Sequence, residues 1–166
     1  MSLVVLFTFV LPTVGTALLL WTGLIKGTLE LRERQQRPLP LLLATASFGA
    51  AAVLLSASTH PLDALLRHMM VGMTLTVVLT LLISLRWKIS AHGAGVGGTL
   101  GLFALLHMGG AAPTHTWWWL LGAGTMAGAV LKARLTLQAH TPAQAWAGFL
   151  LGAGLVLGFG AGLALR

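Results

Sequence analysis

Residues 2–25 contain no charged side chain, and neither do residues 93–131. At about 1.5 Å of helix per residue, the first run can cross about 30 Å of hydrocarbon once and the second can cross it twice. Other uncharged runs of spanning length lie between these two. Backbone polar groups in lipid have to be paired internally, and runs this long suit helices rather than the short strands of a barrel. A chain of 166 residues that is 57% hydrophobic and 8% charged, with mean hydropathy +0.90, cannot present the polar surface a soluble domain needs. The expectation is an all-α membrane protein. The first run should persist as a span: no basic residue precedes it, it is too long for a signal core, and no small-residue cleavage pattern ends it before Lys26.

Six spans can be read, at 3–25, 38–58, 64–85, 93–110, 117–131 and 141–165. The fourth and fifth come from one uncharged stretch cut at AAPTHT, where Gly109, Gly110 and Pro113 break a helix. Trp117, Trp118 and Trp119 follow the cut as an interfacial belt. Five spans with one long tilted helix is the alternative. Ridges of small residues, Gly93-Gly97-Gly101, Gly124-Gly128 and Gly148-Gly152, would let helices approach closely where lipid gives no hydrophobic drive. The expected architecture is a compact bundle of six transmembrane helices, residues 1–166 forming one domain.

Six spans place the loops after the first, third and fifth on one membrane face. Those loops hold Lys26, Arg32, Arg34, Arg37, Arg86, Lys88, Lys132 and Arg134, leaving only Arg67 and Arg166 elsewhere. A pI near 11.9 therefore points to anionic lipid headgroups or phosphates at the interface, not to nucleic acid. The cations also fit a plain role as topology determinants. His60, His107 and His115 fall toward the opposite face as interfacial residues, and Arg67 and His68 snorkel, with Asp63 one turn before Arg67 as its partner. The absence of cysteine excludes disulfides and thiolate chemistry. With only three acidic residues, no metal site and no cofactor is expected. GAGVGG lacks the preceding strand that a nucleotide-binding glycine motif requires.

Each of the three loops supplies part of an anion site. Ser90 and His92 stand at the start of a glycine-rich helix, where the dipole favours an anion, and Lys88 adds charge. Arg37 abuts Pro38, a first helical residue, and so sits at a fixed boundary. Arg134 and His140 lie six apart before the last span. Arginine grips two phosphate oxygens at once, and two histidines allow one to attack while the other protonates the leaving oxygen.

In this order, Arg37-Pro38, Ser90-Ala91-His92 and Ala133-Arg134 with five residues before His140, the chain resembles the type 2 phosphatidic-acid phosphatase superfamily. That family's motifs run Lys, six residues, Arg-Pro; Pro-Ser-Gly-His; and Ser-Arg, five residues, His, three residues, Asp. The likeness extends from Glu30 to Gly152. It implies a metal-independent phosphatase acting on a lipid phosphate or diphosphate. His140 would be the nucleophile that becomes phosphohistidine, His92 the general acid, and Arg37, Ser90 and Arg134 the phosphate ligands. Phosphatidate, phosphatidylglycerol phosphate, a polyprenyl diphosphate or a lipid A phosphate would suit these cations, in a multi-pass protein of the cell membrane, expected to be a bacterial inner membrane.

The chain departs from the family at Glu30 for Lys, Ile89 for Pro, Ala133 for Ser and Gln144 for the Asp that orients the histidine. Gln144 has two readings. It can accept a hydrogen bond from His140 as a substitute for that Asp, or it can close a capping box with Thr141 ahead of Pro142. Glu30 or Glu33 could bring the missing carboxylate. The alternative function is a weak or inactive relative that binds or translocates an anionic lipid. Sidedness is open too, since the positive-inside rule reads the cationic face as cytoplasmic while the family's sites usually face away from the cytoplasm.

Overall fold

Prolines and one glycine punctuate the chain as their backbone chemistry requires. Pro38 and Pro142 each open a helix at a position where the missing N–H has no intrahelical partner to lose. Gly23, at φ 74°, stops the first helix by turning left-handed. The computed structural model describes residues 2–26, 33–57, 61–108 and 116–164, with the backbone alone at 2, 61–68, 116 and 160–164. Glu30, Arg32, His60, Gly109, Gly110, Pro113, His115 and Arg166 lie outside the described residues, as do the side chains of Asp63, Arg67 and His68.

The described residues form six helices and no strand. Helix α1 runs through Ser2–Val5, a π-turn at Leu6–Val10 and Leu11–Trp21. It is followed by α2 at Pro38–Ser56, α3 at Pro61–Ser84, α4 at Ala91–Met108, α5 at Thr116–Thr136 and α6 at Pro142–Ala164. The long uncharged stretch makes two helices, as the cut at AAPTHT predicts. Three helices are long and apolar enough to cross a membrane, at Leu3–Trp21, Arg34–Ser56 and Pro142–Phe159, and Met69–Ser84 is a shorter apolar stretch. The others are less apolar for visible reasons. Helix α4 carries His92, His107 and five glycines, and α5 carries three tryptophans and two cations.

The chain divides into two compact units, Met1–Lys88 and Ile89–Arg166. In the first, the Ser47 hydroxyl donates to the Phe7 carbonyl at 2.5 Å, and Gly15 stands against Leu43, so α1 and α2 are antiparallel. Phe7 lies in the π-turn, where the ladder shifts by one residue and leaves a carbonyl for a second donor. Ala51, Ala52 and Met70 form the core, packed by Val4, Phe7, Phe48 and Leu55. At the other end, Arg34 Nη1 donates to the carbonyls of Leu85 at 3.0 Å and Arg86 at 2.6 Å. That bond satisfies acceptors just past the end of α3 and sets the loop after α1 beside the loop after α3.

In the second unit, α4 and α6 run parallel in backbone contact. A Cβ on Gly93 would lie 2.7 Å from the Ala145 carbonyl oxygen, and one on Gly101 would lie 3.1 Å from that of Ala153. Gly97 similarly faces the Phe149 carbonyl, Gly148 that of Ser90 and Gly152 that of Ala94. The ridges at 93-97-101 and 148-152 therefore pack on each other. The 124-128 ridge does not: among the described residues a Cβ on Gly124 would come no nearer than 3.9 Å, to Leu100, and one on Gly128 would meet nothing within 4 Å. Helix α5 buries Ala127 and Leu131 instead. It returns antiparallel to α4, with Phe103 stacked on Trp119 at 6.2 Å. Trp117, Trp118 and Trp119 are exposed at its start, as residues of an interfacial belt would be.

Candidate functional site

The order of the third loop begins with where α5 stops. The hydropathy reading ended this span at 131, but the helix continues to Thr136 and carries Lys132 and Arg134 in its last two turns. Cations are favourable there, near the negative end of the dipole. The stop is a Schellman turn. Gln138, at φ 51°, is the single non-glycine residue of positive φ among the described residues. Its N–H donates to the Leu135 carbonyl at 2.9 Å, and the Arg134 carbonyl accepts from Ala139 at 3.0 Å and from His140 at 3.4 Å. The six-residue separation of Arg134 and His140 thus becomes a direct backbone contact. His140 is buried, and Arg134 Nε is buried with no hydrogen-bond partner among the described residues.

Helix α6 starts immediately afterwards. The Thr141 N–H donates to Gln144 Oε1 at 3.2 Å, and the Gln144 N–H donates to Thr141 Oγ1 at 3.3 Å. This is the reciprocal capping box expected at these residues, and it engages the carboxamide oxygen of Gln144. Thr141→Ala is expected to cost about 1 kcal/mol of stability, seen as a lower thermal midpoint in detergent. Helix α4 is capped alike. Ser90 is wholly buried, and its hydroxyl accepts the Gly93 N–H at 3.1 Å. The Ser90 N–H donates to the Gln144 carbonyl at 3.1 Å, tying the first turn of α4 to the first turn of α6. His92 lies in that same turn of α4 with its side chain exposed.

Two parallel helices starting side by side set two positive dipole ends together, each equivalent to roughly half a charge. The turn after α5 adds Arg134 and His140 at the same end. Residues 89–166 contain no Asp or Glu, so this unit has no carboxylate of its own to balance the cluster. The starts of α4 and α6, Arg134 and His140 are the groups of this unit that favour an anion. Hydrogen bonds thus join Ser90 to Gln144 and His140 to Arg134 within one unit, and His92 shares the start of α4.

Arg37 and Lys88 belong to the other unit. Arg37 is buried at the start of α2, where its carbonyl accepts the Leu41 N–H at 3.0 Å, and Lys88 follows α3 half-buried. The Glu33 carboxylate accepts from Gln36 Nε2 at 2.8 Å within its own loop. Two residues with structural consequences escaped the sequence reading as individuals. Arg34 was one cation among eight, and Gln138 carries no sequence mark of a left-handed turn, since glycine or asparagine is the usual sign. In comparisons with protein-family models, curated proteins and solved structures, no match was found.

Proposed function

We propose that this chain is a multi-pass cell-membrane protein, its six helices all spanning, that hydrolyses a lipid phosphate or diphosphate without metal. The observation that carries this reading is the convergence of the α4 and α6 starts with Arg134 and His140 in a unit lacking any carboxylate. Such an end favours a multiply charged anion. The apolar lengths of the helices and the exposed Trp146, in the first turns of α6, favour an anion carried on a lipid.

In this mechanism an imidazole nitrogen of His140 attacks phosphorus and forms a P–N bond as the bond to the lipid oxygen breaks. His92 gives that oxygen its proton. Water then attacks the phosphohistidine, returning a proton to His92 and releasing inorganic phosphate. Arg134 neutralises the equatorial oxygens in both steps. The resemblance to the type 2 phosphatidic-acid phosphatases supplies these roles for His140, His92 and Arg134.

A second reading, a relative that binds or moves an anionic lipid without hydrolysis, is favoured by the engagement of Gln144 Oε1 at the helix cap and by the lack of any Asp or Glu in residues 89–166. One assay separates the two. Purified protein in detergent, given a panel of lipid phosphates with EDTA present, should release phosphate and, after a rapid acid-free quench, carry an acid-labile phosphoryl group on the peptide containing His140. Lipid binding with neither release nor labelling would sink the enzymatic reading and leave the binding one.

A further inference from the structure

Among the described residues, two helices end by turning left-handed. At the end of α1 the residue is Gly23, which has no Cβ and adopts φ 74° without strain. At the end of α5 it is Gln138, at φ 51°, a conformation that L residues other than Asn and Asp adopt reluctantly. Its side chain is exposed, so no packing contact calls for glutamine there. What holds the conformation is the set of three backbone hydrogen bonds that follow from it, from Gln138, Ala139 and His140 to the carbonyls of Leu135 and Arg134.

The alternative conformation shows what the turn accomplishes. Were Gln138 helical, α5 would continue, and His140 would stand about 9 Å along the axis from Arg134 and about 120° around it. The two side chains could not then address one phosphate. With Gln138 left-handed, the His140 N–H returns to the Arg134 carbonyl at 3.4 Å. The chain direction reverses within three residues, and Thr141 is delivered to cap α6.

We propose that Gln138 is a positioning residue: its left-handed backbone, not its side chain, brings His140 to Arg134 and sets the geometry of the anion site. The catalytic arm of this proposal rests on the phosphatase reading; the structural arm does not. Both are tested on the full chain in detergent with Gln138→Val, whose branched side chain resists positive φ, beside Gln138→Gly and Gln138→Asn, which accept it. Amide hydrogen exchange across residues 137–141 reports the turn, and kcat and KM for phosphate release from phosphatidate report the site.

The expected result for Gln138→Val is at least ~10-fold faster exchange in that segment and at least ~10-fold lower kcat with KM little changed, at wild-type helix content by circular dichroism. Glycine and asparagine should restore both readouts. Wild-type exchange and kcat in Gln138→Val would overturn the proposal, as would a loss in Gln138→Gly equal to that in the valine variant, because the side chain would then be the active part. If the valine variant fails to fold, Gln138→Ala takes its place with the same criteria. Should wild type release no phosphate, the phosphatase reading falls, and the exchange measurements alone decide whether Gln138 holds the turn.

Discussion

Gly152→Leu is expected to separate α4 from α6 and to abolish cooperative unfolding of residues 89–166 in detergent. A Cβ at this position would overlap the Ala94 carbonyl oxygen, with the Ala94 carbonyl carbon and the Gly98 nitrogen each 2.8 Å away. All three are backbone atoms of a helix, so no rotamer change relieves the clash, and the helices must move apart. Overpacking of an ordinary core costs about 1–3 kcal/mol. Here the loss is larger, because the displaced contact is the whole close approach of two helices and includes the bond from Ser90 N–H to the Gln144 carbonyl. The control is Gly154→Ala on the same helix, where a Cβ meets nothing within 4 Å. Removing backbone freedom at a permissive position is worth about 0.4–1 kcal/mol, so that variant should unfold slightly later than wild type. Thermal and denaturant unfolding of the pair checks the claim, and equal stability of the two variants would show that the glycine contact does not hold the unit together.

The same glycines show how far the sequence could be read. GxxxGxxxG at 93-97-101 is a local pattern with one mechanical meaning, close backbone approach, and it was legible together with its partner ridge at 148-152. The shorter GxxxG at 124-128 has no close partner among the described residues, because spacing alone cannot say which face of α5 meets α4; Ala127 and Leu131 decide that. Helix existence was legible from uncharged length. Helix ends were legible only where a particular residue marks them, as Pro38 does as a first helical residue and the Thr141-Gln144 box does as a cap. The end of α5 was misplaced at 131 because hydropathy marks where apolar character stops, whereas the helix stops where its backbone turns. Lys, Ala, Arg and Leu at 132–135 are all good helix formers.

In the candidate site, the residues of the third loop were legible as a spacing, and the structure supplies its cause. The Schellman turn closes from Ala139 back to Arg134 and His140 is the next residue, a placement that no residue type at 138 announces. The division of the chain between Lys88 and Ile89 was not legible, since the charged loop at Arg86 and Lys88 reads like the other cationic loops between spans. It assigns Arg37 and Lys88 to one unit and the other expected site residues to the second.

Arg134→Met separates stability from function more sharply than any other substitution here. The guanidinium belongs to a partly buried residue whose Nε has no hydrogen-bond partner among the described residues, and no carboxylate in its own unit offsets its charge. A buried donor without an acceptor costs about 1–3 kcal/mol. Methionine keeps an unbranched chain and high helix propensity while removing that charge. The turn after α5 survives, because Arg134 contributes its carbonyl to it and not its side chain. Arg134→Met should therefore raise the thermal midpoint of the ligand-free protein, and on the proposed phosphatase reading it should lower phosphate release by on the order of 10²–10³, the usual effect of deleting one preorganised donor to a transition-state oxygen. If the proposed phosphatase reading holds, His140→Ala should lower release by on the order of 10⁴ or more, as loss of a nucleophile would. Phosphate or a lipid phosphate added to wild type should raise its midpoint and leave that of Arg134→Met unmoved. A methionine variant that is less stable than wild type and still turns over would mean that Arg134 serves the fold alone. Higher stability together with lost turnover is the mark of a residue retained for the anion it meets.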